Sequence, residues 1–171
     1  MTSEEARRLS TIFFDAGEPT SGIAVSRTRA EERLIETGNF RMQGLIVEDE
    51  LLIALDLESI VQALGHEVIG PARNFHEAIE LAREADVALV DVHLADGITG
   101  PSIAKCLASA YGVTVVFMTG NPEMVRDSGS AVGVVSKPYW PAKVSEALEY
   151  AAAVRRGYPS ASPHFLTPLA S

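Results

Sequence analysis

Residues 87–97 read VALVDVHLADG. Four apolar residues run without alternation into Asp91, the mark of a short strand covered on both faces; a half-exposed strand would alternate apolar and polar side chains. Beyond Asp91 the chain turns polar, and Asp96 with Gly97 supplies a turn. A strand that closes on a carboxylate and opens into a loop belongs in a parallel α/β sheet, where ligand-binding groups gather past the carboxyl ends of the strands.

Similar apolar runs recur on either side of this stretch as GLIVE (44–48), EVIGPA (67–72), VTVVFM (113–118) and GVVS (133–136), so five strands are predicted. Segments of helical period separate them. Ile53, Leu57, Ile60, Val61 and Leu64 form one apolar stripe, which Gly65 brings to a stop. Asn74 is placed to cap a second helix, with Glu77 three residues later reaching back. A third helix is predicted over 100–111, a short fourth from Pro122, and a fifth from Pro141 that carries Val144, Ala147, Leu148 and Ala151 on one face. Strands alternating with helices predict a doubly wound parallel sheet over residues 43–156. Residues 1–42 read as an N-terminal extension, partly helical or flexible, and 157–171 as a flexible C-terminal tail.

A chain of 171 residues with 47% hydrophobic and 22% charged residues has enough apolar content for one substantial core. Its formal net charge of −9 argues against nucleic acid as a partner, since phosphate-backbone binders concentrate lysine and arginine on one face. Cys106, the single cysteine, allows no internal disulfide and is expected in the core on helix three. No apolar run approaches the roughly 18 residues of a membrane span, and MTSEEARRLSTIFFDAG is too acidic for an export signal. A cytoplasmic protein with no membrane partner is expected.

Four predicted strands deliver polar groups to one rim: Glu48, Asp49 and Glu50 after the first, Asp91 at the end of the third, Thr119 after the fourth and Lys137 after the fifth. Carboxylates crowded together are unfavourable unless a cation is present or one is protonated. Mg²⁺ fits, because it takes oxygen ligands and needs only one or two protein carboxylates beside water and phosphate. With the ammonium of Lys137 it would offset the charge of a transferring phosphoryl group, and Asp91 would be the nucleophile. The plainer readings are acids solvated at a helix start, a strand-terminating Asp91, and a Thr119 that merely caps or fills a strand. His66, His76 and His164 show no metal-binding spacing.

Taken together, the acidic pair in LIVEDE (45–50), the acid in VALVDVHLADG, the threonine in VFMTGN (116–121) and the Lys-Pro in VSKPY (135–139) resemble the receiver domain of bacterial two-component response regulators, over roughly residues 43–156. The resemblance implies a flavodoxin-like (βα)5 fold with strand order 2-1-3-4-5. It makes Asp91 the phosphoryl acceptor, and Asp49, Asp91 and the His93 backbone carbonyl the direct Mg²⁺ ligands, with Glu48 acting through water. Thr119 and Lys137 would contact phosphoryl oxygens, and the Lys137–Pro138 peptide would be cis. His93 and Asn121 occupy positions that tune dephosphorylation in the family. The implied partners are a histidine kinase or histidine phosphotransfer protein and a downstream protein target, and a homodimer is allowed. Leu52, Asp56 and Ser59, with Tyr139 and Trp140, lie where kinase helices dock.

Two residues depart from the pattern. Val134 stands where many receivers carry an aromatic ring that moves with the threonine, and Met118 replaces the alanine of the Phe-Ala-Thr-Gly signature of an alphaproteobacterial subgroup. With only residues 157–171 beyond the core, the expectation is a stand-alone receiver, not a turnover enzyme, whose output runs through protein contacts. A phosphorylation-independent binding module is the second reading, motivated by Val134. A haloacid-dehalogenase-type phosphatase is the third; it expects a second aspartate where His93 stands.

Overall fold

The five apolar runs form the strands of one parallel sheet: β1 (Gln43–Val47), β2 (Glu67–Ala72), β3 (Val87–Asp91), β4 (Thr114–Thr119) and β5 (Gly133–Ser136). Their order is β2-β1-β3-β4-β5, as the resemblance to receiver domains implies. The structure, a computed structural model, describes residues 41–158 and 161–166. These lie in a unit spanning Phe40–Ser171, whereas the N-terminal extension up to residue 40 lies outside the described residues.

Helices α1 (Leu51–Ala63), α2 (Phe75–Leu81), α3 (Gly100–Tyr111) and α4 (Pro141–Arg155) connect and cover the strands. Side chains alternate along each strand between two apolar layers. Leu45, Val47, Val90, Phe117 and Val134 belong to the layer that includes Ala78 of α2 and Ile103 and Leu107 of α3. Ile46, Leu89, Val116, Met118 and Val135 belong to the other, with Leu57 and Val61 of α1 and Val144 and Leu148 of α4. Burial on both faces explains why the strands read as unbroken apolar runs.

Local signals account for the element ends. The Asn74 side chain accepts the Glu77 N–H at 3.0 Å, while Glu77 takes the Asn74 amide at 2.8 Å and the Arg73 N–H at 2.8 Å. The cap is therefore reciprocal, although the glutamate reaches the N–H one residue before the one a capping box uses. Pro71 has no N–H to donate, and β2 tolerates it as an edge strand with an irregular register against β1 between Leu45 and Val47. Both Gly70–Pro71 and Lys137–Pro138 are cis.

Several expectations need correction. The fourth helix is reduced to a 3₁₀ turn, Pro122–Val125, because the segment offers only Val125 to the core and has no stripe for an α-helix to bury. Thr119 is the last residue of β4 rather than the first beyond it, since the ladder with β5 extends to the Thr119–Ser136 pair. Cys106 is partly exposed, not a core residue. At the two ends, Met42 and Leu166 are each 1% exposed, so core side chains come from stretches read as extension and tail.

Candidate functional site

The strand order reverses between β1 and β3, both of which lie at the centre of the sheet. Glu48 follows the first and Asp91 ends the second, so the acids emerge at the topological switch point of the fold. Register sets their depth: Val47 pairs with Val90, Asp91 with Met118 and Thr119 with Ser136. Lys137 leaves the end of β5 on the same rim.

Lys137 brings the two acids together. Its Nζ donates to Glu48 Oε2 at 2.7 Å and to Asp91 Oδ2 at 2.7 Å. The lysine side chain is 18% exposed and those of Glu48 and Asp91 are 1% and 10% exposed, so the two ion pairs are largely withdrawn from water. Buried charges persist only when paired and hydrogen-bonded, and each carboxylate has a further donor. Glu48 Oε1 accepts the Glu50 N–H at 3.2 Å, and Asp91 Oδ1 accepts the Val92 N–H at 2.6 Å, with the His93 N–H at the limit of 3.5 Å.

Electrostatics follow from this burial. Desolvation pushes the Glu48 carboxyl above the usual carboxylate range, opposed by the Lys137 ammonium and the Glu50 N–H. Burial alone would lower Lys137, but its hydrogen bonds to Asp91 and Glu48 outweigh that and hold it above the ordinary lysine value. Lys137 is thus a fixed cation at neutral pH. Tyr139, half-buried nearby, is pushed up by burial and by the negative charges of Asp56, Glu48 and Asp91.

The remaining predicted residues surround this triad, and those that bond to it do so through backbone groups. Thr119 is fully buried, and its hydroxyl accepts the Asn121 N–H at 3.1 Å, while its carbonyl accepts the Lys137 N–H at 2.8 Å. Asp49 is half-buried beside Glu48, and the His93 residue is exposed. Glu50 is exposed at the start of α1. The donors suit a small hard cation, since Glu48, Asp49 and Asp91 offer only oxygens. Among the described residues, however, no three acids, histidines or cysteines stand assembled as a metal cage. The charge of the innermost pair is met by Lys137 instead.

Gly100 is a feature of the site that residue chemistry does not announce. A Cβ there would lie 2.1 Å from the Asp91 carbonyl oxygen and 2.6 Å from the Val92 Cα, so only glycine lets the start of α3 rest on the backbone of the acid. The β3–α3 loop is fastened in turn by Asp96, which accepts the Phe75 N–H at 2.9 Å and the Thr99 hydroxyl. Next to the rim, Leu51, Leu52 and Leu55 of α1 and Trp140 before α4 are exposed, as are Asp56 and Ser59, whereas Tyr139 is half-buried against the core.

No protein-family model matches the chain. Among curated proteins, the Phyllosphere-induced regulator PhyR of Methylorubrum extorquens is 40% identical over 112 residues, covering 63% of this chain and 42% of that protein. The chain therefore spans less than half of that relative's length. The crystal structure of the anti-anti-sigma factor PhyR from Bartonella quintana superposes with a TM-score of 0.63 at 27% identity, over 75% of this chain and 54% of that one. In the solution structure of the Erythrobacter litoralis PhyR response regulator REC domain, the match has a TM-score of 0.62 and 30% identity, over 71% of this chain. That last likeness takes in 96% of a receiver domain and nothing else, and by it this chain belongs to the receiver-domain family of response regulators.

Proposed function

We propose that the chain is a phosphoacceptor, taking a phosphoryl group onto Asp91 from a phosphohistidine of a kinase or phosphotransfer protein and signalling through a change in protein contacts. The observation that carries this reading is Lys137, held at 2.7 Å from both Glu48 and Asp91 where the strand order reverses. A carboxylate oxygen of Asp91 attacks phosphorus, the donor's phosphorus–nitrogen bond breaks, and its electron pair stays with the imidazole. An acyl phosphate forms, and water later releases phosphate and restores the carboxylate.

Each side chain has a part in that step. Lys137 already touches the acceptor, so its ammonium is within reach of oxygens added there. Glu48, Asp49, Asp91 and the His93 backbone carbonyl would hold Mg²⁺, which when bound offsets charge on the transferring group. Thr119, at the end of the neighbouring strand, offers a hydroxyl to the same oxygens once its contact with Asn121 is exchanged. The Val92 N–H fixes one oxygen of Asp91 and so orients the other.

Output by protein binding is supported by the likeness to the Bartonella quintana protein, an anti-anti-sigma factor. The partners we assign are a histidine kinase or phosphotransfer protein and a downstream protein target, in the cytoplasm, with a homodimer allowed. Among the described residues no helix is long and apolar enough to cross a membrane. A phosphorylation-independent binding module is favoured by one observation: Val134, 1% exposed, fills the position of the usual mobile ring and leaves no aromatic there to swing.

Intact mass after incubation with acetyl phosphate and Mg²⁺ separates the two. One phosphoryl adduct, lost in Asp91→Asn and on chelation of the metal, is the expected result. Absence of an adduct with acetyl phosphate and with phosphohistidine donors alike would overturn the reading in favour of the binding module.

A further inference from the structure

Gly133 opens β5, and its missing side chain leaves a notch in the apolar layer shared by α1 and α4. A Cβ built there would meet Leu166 Cγ at 2.6 Å and its two methyl carbons at 2.9 Å each, so the leucine occupies space that any other residue at 133 would fill. Leu166 is 1% exposed and shares its layer with Val135, Val144 and Leu148. Phe165 packs half-buried against the same layer, with Lys143 Nζ 5.6 Å from its ring centroid, within reach of a cation–π attraction.

The hook that delivers these two side chains is otherwise lightly held. Its Leu166 N–H donates to the Pro163 carbonyl at 3.0 Å, and the Ser162 hydroxyl donates to the Leu166 carbonyl at 3.4 Å. Among the described residues these bonds run within the hook and tie it to no strand or helix. Burial of the Leu166 side chain alone contributes about 10- to 150-fold in favour of the docked form. Segments held by few hydrogen bonds open at a lower free energy than core strands do, so detachment of the hook would not require the sheet to unfold.

We propose that the notch over Gly133 is a protein-binding site for a short partner segment carrying an aromatic–leucine pair, and that Phe165–Leu166 is its built-in competitor. The hook itself shows what the site takes: an isobutyl group in the space over Gly133 and, one residue earlier, a ring against Lys143. A partner presenting the same pair displaces the hook, and weak hook binding keeps that displacement within reach of an ordinary protein contact. The site does not depend on the acceptor chemistry of Asp91.

The test uses the full chain and a capped peptide of residues 162–166, SPHFL, at millimolar concentration, followed by NMR at the Gly133 amide. The peptide is expected to shift that amide in Leu166→Ala, to require about 10 to 150 times more peptide in the parent chain, and to leave Gly133→Ala unaffected. In the parent, the Leu166 amide is expected to exchange with solvent at least ten times faster than the amide of Val116. Exchange as slow as that of Val116 would make Leu166 a fixed core residue and overturn the proposal. So would failure of Leu166→Ala to take the peptide, or equal binding by the parent.

Discussion

Lys137 holds two buried carboxylates at once, which makes its removal a sharper probe than removal of either acid. Lys137→Ala leaves Glu48 and Asp91 without a counter-charge, and a loss of about 3–5 kcal/mol in urea unfolding at neutral pH is expected. Adding Glu48→Gln removes one of the stranded charges, so the double variant is expected to recover part of that loss, the signature of coupled neighbours. Mg²⁺ binding should tighten in Lys137→Ala, measured by calorimetry, because the ammonium no longer competes for the same oxygens. Weaker binding would mean that the lysine helps assemble the metal site. The residues of this cluster were legible in the sequence because Glu48, Asp91 and Lys137 each stand at the end of an apolar run. The double grip of one lysine was not, since it depends on strand register and on the depth to which each side chain is buried.

Helix α3 meets β3 so closely at Gly100 that a methyl group overlaps the Asp91 carbonyl oxygen. Gly100→Ala is expected to cost about 1–3 kcal/mol in thermal unfolding, the range for overpacking, and to slow phosphoryl uptake because Asp91 must shift with its backbone. Unchanged uptake in a destabilised variant would confine Gly100 to packing. The Asp96 clasp adds a pH dependence. The Phe75 N–H and Thr99 hydroxyl hold its carboxyl below its ordinary 3.8, so its contribution is present above that value and is lost as pH falls through the lower folded value. Asp96→Asn should therefore lose stability less steeply on acidification than the parent. Elements with a continuous apolar run or stripe were readable at this scale. The 3₁₀ turn at Pro122–Val125 was not, because a Pro and a following acid open a short turn and a full helix alike. Leu166 escaped too: one leucine among Pro, Ser and His has no period, and only the empty place over Gly133 reveals its role.

Across the whole molecule, stability rests on two apolar layers, and His66, in the turn between α1 and β2, adds a pH dependence to it. Its Nδ1 is buried without a hydrogen-bond partner among the described residues, and burial, aided by the Arg156 charge and opposed by Glu149, holds the imidazole below its ordinary 6.5. A histidine kept neutral in this way contributes stability above 6.5 that is lost as pH falls through its folded value. Between pH 7 and 5 the parent should lose stability more steeply than His66→Gln; identical slopes would mean that His66 charges freely in the fold. The parallel sheet and its acidic rim could be inferred from the sequence, since burial on both faces leaves its mark along the strands, whereas the strand order, and with it the switch point, came only through the resemblance to receiver domains. What the rim accepts is tested most directly by locating the phosphoryl group. After incubation with acetyl phosphate and Mg²⁺, reduction with borohydride converts an acyl phosphate to an alcohol that peptide mass mapping can find. Conversion is expected at Asp91 alone; conversion at Asp49 or another acid, or a borohydride-resistant phosphoryl group on a serine or threonine, would contradict Asp91 as the acceptor.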